Sequence, residues 1–204
     1  AMNRHKSQIF FSQLVVLTLI FALGCEETEE KKTFPADSRE GKSYFAVRLN
    51  DITPNGVDGL SKATPGIDID AVALIKSGTD AGVYADTVFT HEIGPSEPFD
   101  GLENPKLALG APQFPDGYCV AGEVKFFGAG GPDAHIVLGF GNAVIEAGDT
   151  IRVYECENGH ETHPEFYDVA VGSATDPSSE SFVALENKTW GIQDFVVPDS
   201  LPSL

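Results

Sequence analysis

The chain is poor in basic residues. It has 13 Lys and Arg against 31 Asp and Glu, so its formal net charge is −18 over 204 residues. An acidic surface of this kind repels the phosphates of nucleic acids and anionic lipid headgroups, and it attracts cations or basic partners. We therefore expect no nucleic-acid partner. The charge either recruits such partners or only keeps the protein in solution.

Helical periodicity is also lacking. After residue 24 no stretch keeps apolar residues at helical spacing for a dozen residues, and short runs of β-forming residues alternate with Gly, Pro, Asn and Asp. We predict an all-β domain over residues 44–204. Long, irregular connections favour a β-sandwich of the jelly-roll type, with eight or nine strands, over a closed barrel. The predicted strands are 44–48, 67–75, 85–91, 118–120, 135–140, 151–155, 167–171, 182–184 and 195–197.

Catalytic signatures are absent as well. His160 and His163 are three residues apart and precede Pro164, whereas a zinc-protease motif needs two His four apart on a helix. The glycine-rich stretch 128–131 lacks the Lys-Ser/Thr pair of a phosphate-binding loop, and no Gly-x-Ser-x-Gly elbow is present. We therefore expect a protein that is not an enzyme.

The first 24 residues have the pattern of a signal peptide. A basic segment with Arg4 and Lys6 precedes an uncharged apolar stretch. That stretch is shorter than the roughly 20 residues of a membrane-spanning helix, and Ser12 and Gln13 interrupt it. We predict a cleaved signal peptide over residues 1–24 and not a permanent transmembrane anchor.

The residues before Cys25 resemble a bacterial lipobox. Ala22, Leu23 and Gly24 precede this cysteine, with Ala22 where that motif usually has Leu. We expect Cys25 to be lipidated, which would anchor the exported protein to a bacterial outer membrane or cell surface by the lipid alone. The alternative is ordinary cleavage nearby, with Cys25 a spare thiol. Residues 25–43 are charged and almost without large apolar side chains, which predicts a disordered spacer after the lipidated cysteine.

Only three cysteines are present. If Cys25 carries the lipid, Cys119 and Cys156 remain as a pair. Two remaining cysteines in an exported domain usually bond to each other, so we predict a disulfide between them. The alternative is that each is buried singly in the core, where free cysteine packs well.

Several short motifs follow one another in a recognisable order. They are GIDIDAV at 66–72, YAD at 84–86, ALGAP at 108–112, IVLGFG at 136–141 and IRVYE at 151–155. Their succession, over residues 66–173, resembles a domain of bacterial cell-surface and sorting-signal-bearing proteins. The resemblance implies a galactose-binding-like or discoidin-like jelly roll that acts as a surface binding or adhesion module. The chain departs from it at Gln113, where Asp is usual, and at 190–197, which replaces a second DIDAV-like strand.

Two aromatic residues are candidate ligand contacts. Trp190 and Tyr118 lie in or beside predicted loops, where an exposed ring can stack on the face of a sugar. The alternative is that these rings anchor the loops or belong to the core. We predict that Trp190 and Tyr118 contact a ligand.

Four carboxylates are candidate calcium ligands. Strand alternation places Asp68 and Asp70 on one face, which Val72 continues, and it places Glu155 at the end of another core-directed row. If the two strands are antiparallel neighbours, these acids come together, and Asp86 could join them. Oxygen-only ligands suit Ca²⁺ better than Zn²⁺. The alternative is that these acids cap turns, accept backbone N–H groups or pair with nearby cations.

These observations leave two functions open. The first is a non-catalytic surface module that binds carbohydrate or another extracellular polymer, with calcium as support; it predicts an exposed aromatic platform or a polar cleft at one loop end. The alternative is a structural or adhesion module that binds a surface protein, which predicts a flat apolar or acidic patch.

Overall fold

The part of the chain that the structure describes contains ten strands. This computed structural model describes residues 44–53, 66–95, 101–119, 125–156, 165–173, 181–188 and 191–199. The strands are β1 (Ala46–Asp51), β2 (Asp68–Ile75), β3 (Gly82–Tyr84), β4 (Thr87–Glu92), β5 (Phe127–Gly128), β6 (His135–Gly139), β7 (Thr150–Glu155), β8 (Tyr167–Gly172), β9 (Phe182–Lys188) and β10 (Gln193–Val196).

The strands make two antiparallel sheets. The first sheet has the order β4-β6-β1-β8-β9, and the second has the order β10-β7-β2-β3, with β5 also beside β2. Successive strands pass repeatedly from one sheet to the other. The prediction of an all-β sandwich is confirmed, with ten strands where eight or nine were expected.

The core lies between the sheets because apolar side chains alternate along the strands. Every second residue of β1, β6, β7 and β8 points inward and is buried, and burial of each large apolar side chain among them contributes about 1.5–3 kcal/mol. These inward residues include Val47, Leu49, Ile136, Leu138, Ile151, Val153, Tyr167, Val169 and Val171.

Strand β2 lies in the interior of its sheet and departs from simple alternation. Its pairing with β7 shifts between Ile69 and Ala71, which makes Asp70 the extra residue of a β-bulge. Ile69 and Val72 both belong to the core, three positions apart. The prediction that Val72 continues the face of Asp68 is therefore wrong, because the bulge at Asp70 shifts the alternation by one residue.

Most predicted strands are present. Eight of the nine overlap an observed strand, whereas residues 118 and 119 of the predicted strand 118–120 lie outside strands and residue 120 is outside the described residues. The sequence pattern missed β3 and β5.

A single turn of 3₁₀ helix, Pro105–Ala108, packs against β2, β4 and β5. In the described residues no helix has the length and hydropathy needed to cross a membrane.

Candidate functional site

The start of β2 and the end of β7 lie side by side. The two strands are antiparallel neighbours, as the calcium hypothesis required, with Ile69 opposite Glu155. Glu165, two residues before β8, lies near them. Burial raises the pKa of Glu165 well above its ordinary value, and the negative charges of Asp68, Glu155 and Asp51 raise it further. We call Asp51, Asp68, Glu155 and Glu165 the acidic cluster.

Backbone amides hold two members of the acidic cluster. Asp51 is 2 % exposed and accepts hydrogen bonds from the backbone N–H groups of Thr53 at 2.9 Å and Ile67 at 3.0 Å. Its burial raises its pKa, which these donors oppose. Glu155 accepts from the N–H of Gly191. The acidic cluster is thus tied to the loops at this end of the sandwich.

Asp70 does not belong to the acidic cluster. Its two carboxylate oxygens accept hydrogen bonds from the backbone N–H groups of Gln113 at 3.0 Å and Phe114 at 2.7 Å. Burial raises the pKa of Asp70, and the two amides oppose that rise. The contact uses the main chain of Gln113, so it does not depend on the side chain at that position. Asp70 therefore fastens this loop to the bulge in β2.

Asp86 also lies apart. It is exposed, and one carboxylate oxygen accepts hydrogen bonds from the N–H of Gly141 and the hydroxyl of Thr87, each at 2.8 Å. Asp70 and Asp86 therefore accept backbone N–H bonds, as the alternative interpretation proposed. Among the residues that the structure describes, no group of three or more His, Cys, Asp or Glu is arranged to hold a metal ion. Calcium binding by Asp68, Asp70, Asp86 and Glu155 stays a prediction.

A disulfide fixes the same loop that Asp70 holds, residues 101–119. Cys119 and Cys156 are bonded as predicted, with their Cα atoms 5.2 Å apart. Cys156 follows β7 directly and packs with Leu102, Phe114 and Phe126 in a small second core, against which Cys119 also lies. Residues 101–119 are thus attached to the sheet through both Asp70 and the disulfide.

Tyr118 lies exposed beside this disulfide. Its side chain is 61 % exposed, the N–H of Gly117 donates to the carbonyl of Phe114 at 2.9 Å, and the N–H of Tyr118 donates to Asp116 at 3.3 Å. Gly117 has φ of +81°, a conformation that other residues rarely adopt. A tight turn therefore presents the ring of Tyr118 to solvent. Trp190 and Cys25 lie outside the described residues.

Sequence reasoning missed two acids of the cluster. Asp51 continues the buried alternation of Val47 and Leu49, and Glu165 precedes Tyr167 at the same spacing. The rule that identified Glu155, a carboxylate at the end of a core-facing row, would also have identified them.

No protein-family model, curated protein or solved structure matches the chain.

Proposed function

We propose that this chain is a non-catalytic surface module that binds carbohydrate or another extracellular polymer at the loop end that carries Tyr118. The observation behind the proposal is the exposed ring of Tyr118 on a turn that a disulfide holds. A large exposed ring offers stacking area, and a fixed backbone lowers the entropy that binding must overcome. The acidic composition favours a neutral polymer over an anionic one.

A glycan array with the full-length protein tests this proposal. Replacement of Tyr118 by Ala removes the ring, and since an aromatic contact contributes about 0.5–1.5 kcal/mol, we expect affinity to fall by roughly 2- to 12-fold. Ile52→Ala is the control, because Ile52 is also an exposed apolar residue, at 39 %, and lies in another segment. Equal binding by wild type and Tyr118→Ala would reject this site. Binding to a surface protein with no glycan binding would favour the adhesion module instead.

We also propose that the protein is exported and lipid-anchored through Cys25. The support is the signal-peptide pattern and the Cys119–Cys156 disulfide, since such bonds persist in oxidising compartments. In a bacterial host, Cys25→Ser should abolish acyl labelling and release the protein from membranes, whereas Ser38→Ala in the spacer should change neither. Membrane retention and labelling that survive Cys25→Ser would refute the anchor.

A further inference from the structure

Two tyrosines lie together on the outer face of the second sheet. Tyr84 of β3 is opposite Ala73 of β2, and Tyr154 of β7 is opposite Ala71. The tyrosine ring centroids are 6.4 Å apart, with planes tilted by 52°. Both alanines are buried although they point away from the sandwich core. Their small side chains leave room for the two rings to approach one another across β2.

Polar groups continue this pair across the sheet. Arg152 of β7 is opposite Asp194 of β10, and its guanidinium donates two hydrogen bonds to that carboxylate, each at 2.7 Å. Tyr154 lies two residues from Arg152 on the same face of β7, and its ring lies beside that of Tyr84. We call Tyr84, Tyr154, Arg152 and Asp194 the tyrosine platform. It crosses four strands, roughly 14 Å at about 4.7–4.9 Å per strand.

The charge of the tyrosine platform restricts its ligand. Arg152 is the one cation of the platform, and Asp194 neutralises it within a two-bond ion pair whose side chains are 38 % and 46 % exposed. An ionic ligand would therefore have to break that pair. The overall charge of −18 also repels anionic polymers. A neutral ligand remains favoured.

The side-chain chemistry narrows the class further. Aromatic rings stack on the apolar faces of sugar rings, while phenol hydroxyls, a guanidinium and a carboxylate donate to and accept from sugar hydroxyls. We propose that the tyrosine platform binds a neutral polysaccharide chain. The tyrosine platform lies on strands of the second sheet, whereas Tyr118 lies on a turn that the Cys119–Cys156 disulfide holds beside the end of β7. The tyrosine platform shares with the proposed function only the class of ligand.

Affinity electrophoresis tests the proposal. Full-length protein is run through native gels that contain xylan, galactomannan or mixed-linkage β-glucan as the probe. We expect at least one polymer to retard the wild type, and Tyr84→Ala with Tyr154→Ala to reduce its affinity at least tenfold. Val83→Ala is the matched control, since Val83 is exposed on the same strand and points to the opposite face from Tyr84.

A second variant guards against unfolding, because the two rings cover β2. Tyr84→Phe with Tyr154→Phe and Arg152→Gln keeps the rings and removes the two hydroxyls and the guanidinium. This variant should also lose at least threefold in affinity without a change in melting temperature. A wild type that no polymer retards, or tyrosine platform variants retarded like the wild type, would overturn the proposal. Retardation that only Tyr118→Ala abolishes would overturn the tyrosine platform and support the loop-end site. Retardation that is lost only in the tyrosine platform variants would support the platform and reject the loop-end site.

Discussion

The buried carboxylates of this sandwich differ in which groups offset the cost of burying their charge. Asp51 and Asp70 accept two or more backbone N–H bonds, so their charged forms are stabilised although burial raises their pKa values. Glu165 instead lies near three other acids. Since like charges oppose ionisation, Glu165 is the residue where mild acidification should matter most.

Glu165 should make the stability of the domain depend on pH. Its native pKa is raised from 4.5, so between that value and the native pKa the folded state binds more protons than the unfolded state. The free energy of unfolding therefore falls as pH rises through this interval, and the contribution of Glu165 is complete only below the ordinary pKa. Glu165→Gln does not titrate, and it should raise the melting temperature at pH 8 and flatten its fall between pH 5 and 8.

Each unit of pKa difference corresponds to about 1.4 kcal/mol, or roughly 3–6 °C for a domain of this size. The control is Glu103→Gln, which removes an exposed carboxylate outside the acidic cluster. An unchanged slope in Glu165→Gln would show that Glu165 does not carry the proton.

Asp70 and Asp86 allow a comparison of how much a buried and an exposed carboxylate contribute to stability. Asp70→Ala leaves the buried N–H of Phe114 and the part-buried N–H of Gln113 without their acceptor, so we expect a loss of about 1–3 kcal/mol in the free energy of unfolding. Asp86→Ala removes a similar bond from Gly141 at an exposed site, where water replaces it, and should change stability by about 0.5 kcal/mol or less. Urea unfolding of the two variants gives the comparison, and equal losses would contradict it.

At the scale of the elements, periodicity predicted strands well and their irregularities poorly. The core-facing rows of β1, β7 and β8 follow a period of two, so they are visible in the sequence. β3 and β5 have three and two residues and contain Gly82 and Gly128, so their strand conformation depends on pairing with β2 and has no local signal. The bulge at Asp70 is likewise invisible, because an extra residue changes no composition.

The disulfide should stabilise the loop element that it closes. Cys119 and Cys156 are 37 residues apart, and the chain-entropy estimate for such a loop is about 3–4 kcal/mol. Cys119→Ala with Cys156→Ala should lower the free energy of unfolding by roughly that amount, and reductant should shift the wild type in the same direction. Cys25→Ser is the control and should leave the unfolding midpoint in place. A midpoint that reductant does not move would count against this contribution.

At the scale of the whole molecule, the candidate sites arise from strand order. The tyrosine platform combines residues of β3, β7 and β10, and the acidic cluster combines residues of β1, β2, β7 and the segment before β8. Sequence patterns indicate which residues point inward, and they carry little information on which strands become neighbours. The exception is the pairing of β2 with β7, which the calcium hypothesis assumed. That pairing places Asp68 and Glu155 at the same end of the sheet, where both act on Glu165.

Because the net charge is −18, added cations should affect the stability of the whole molecule. Salt screens repulsion between exposed acids, so NaCl alone should raise the melting temperature. If Ca²⁺ binds beside Asp68 and Glu155, 10 mM CaCl₂ should add a further increase over NaCl of equal ionic strength. With a dissociation constant of 10⁻⁴ to 10⁻³ M, typical of extracellular sites, the gain is about 1.4–2.7 kcal/mol. Asp68→Asn with Glu155→Gln should lose this increment and keep the effect of NaCl. Equal melting temperatures in the two salts would mean that charge screening accounts for the whole effect, and they would reject the calcium hypothesis.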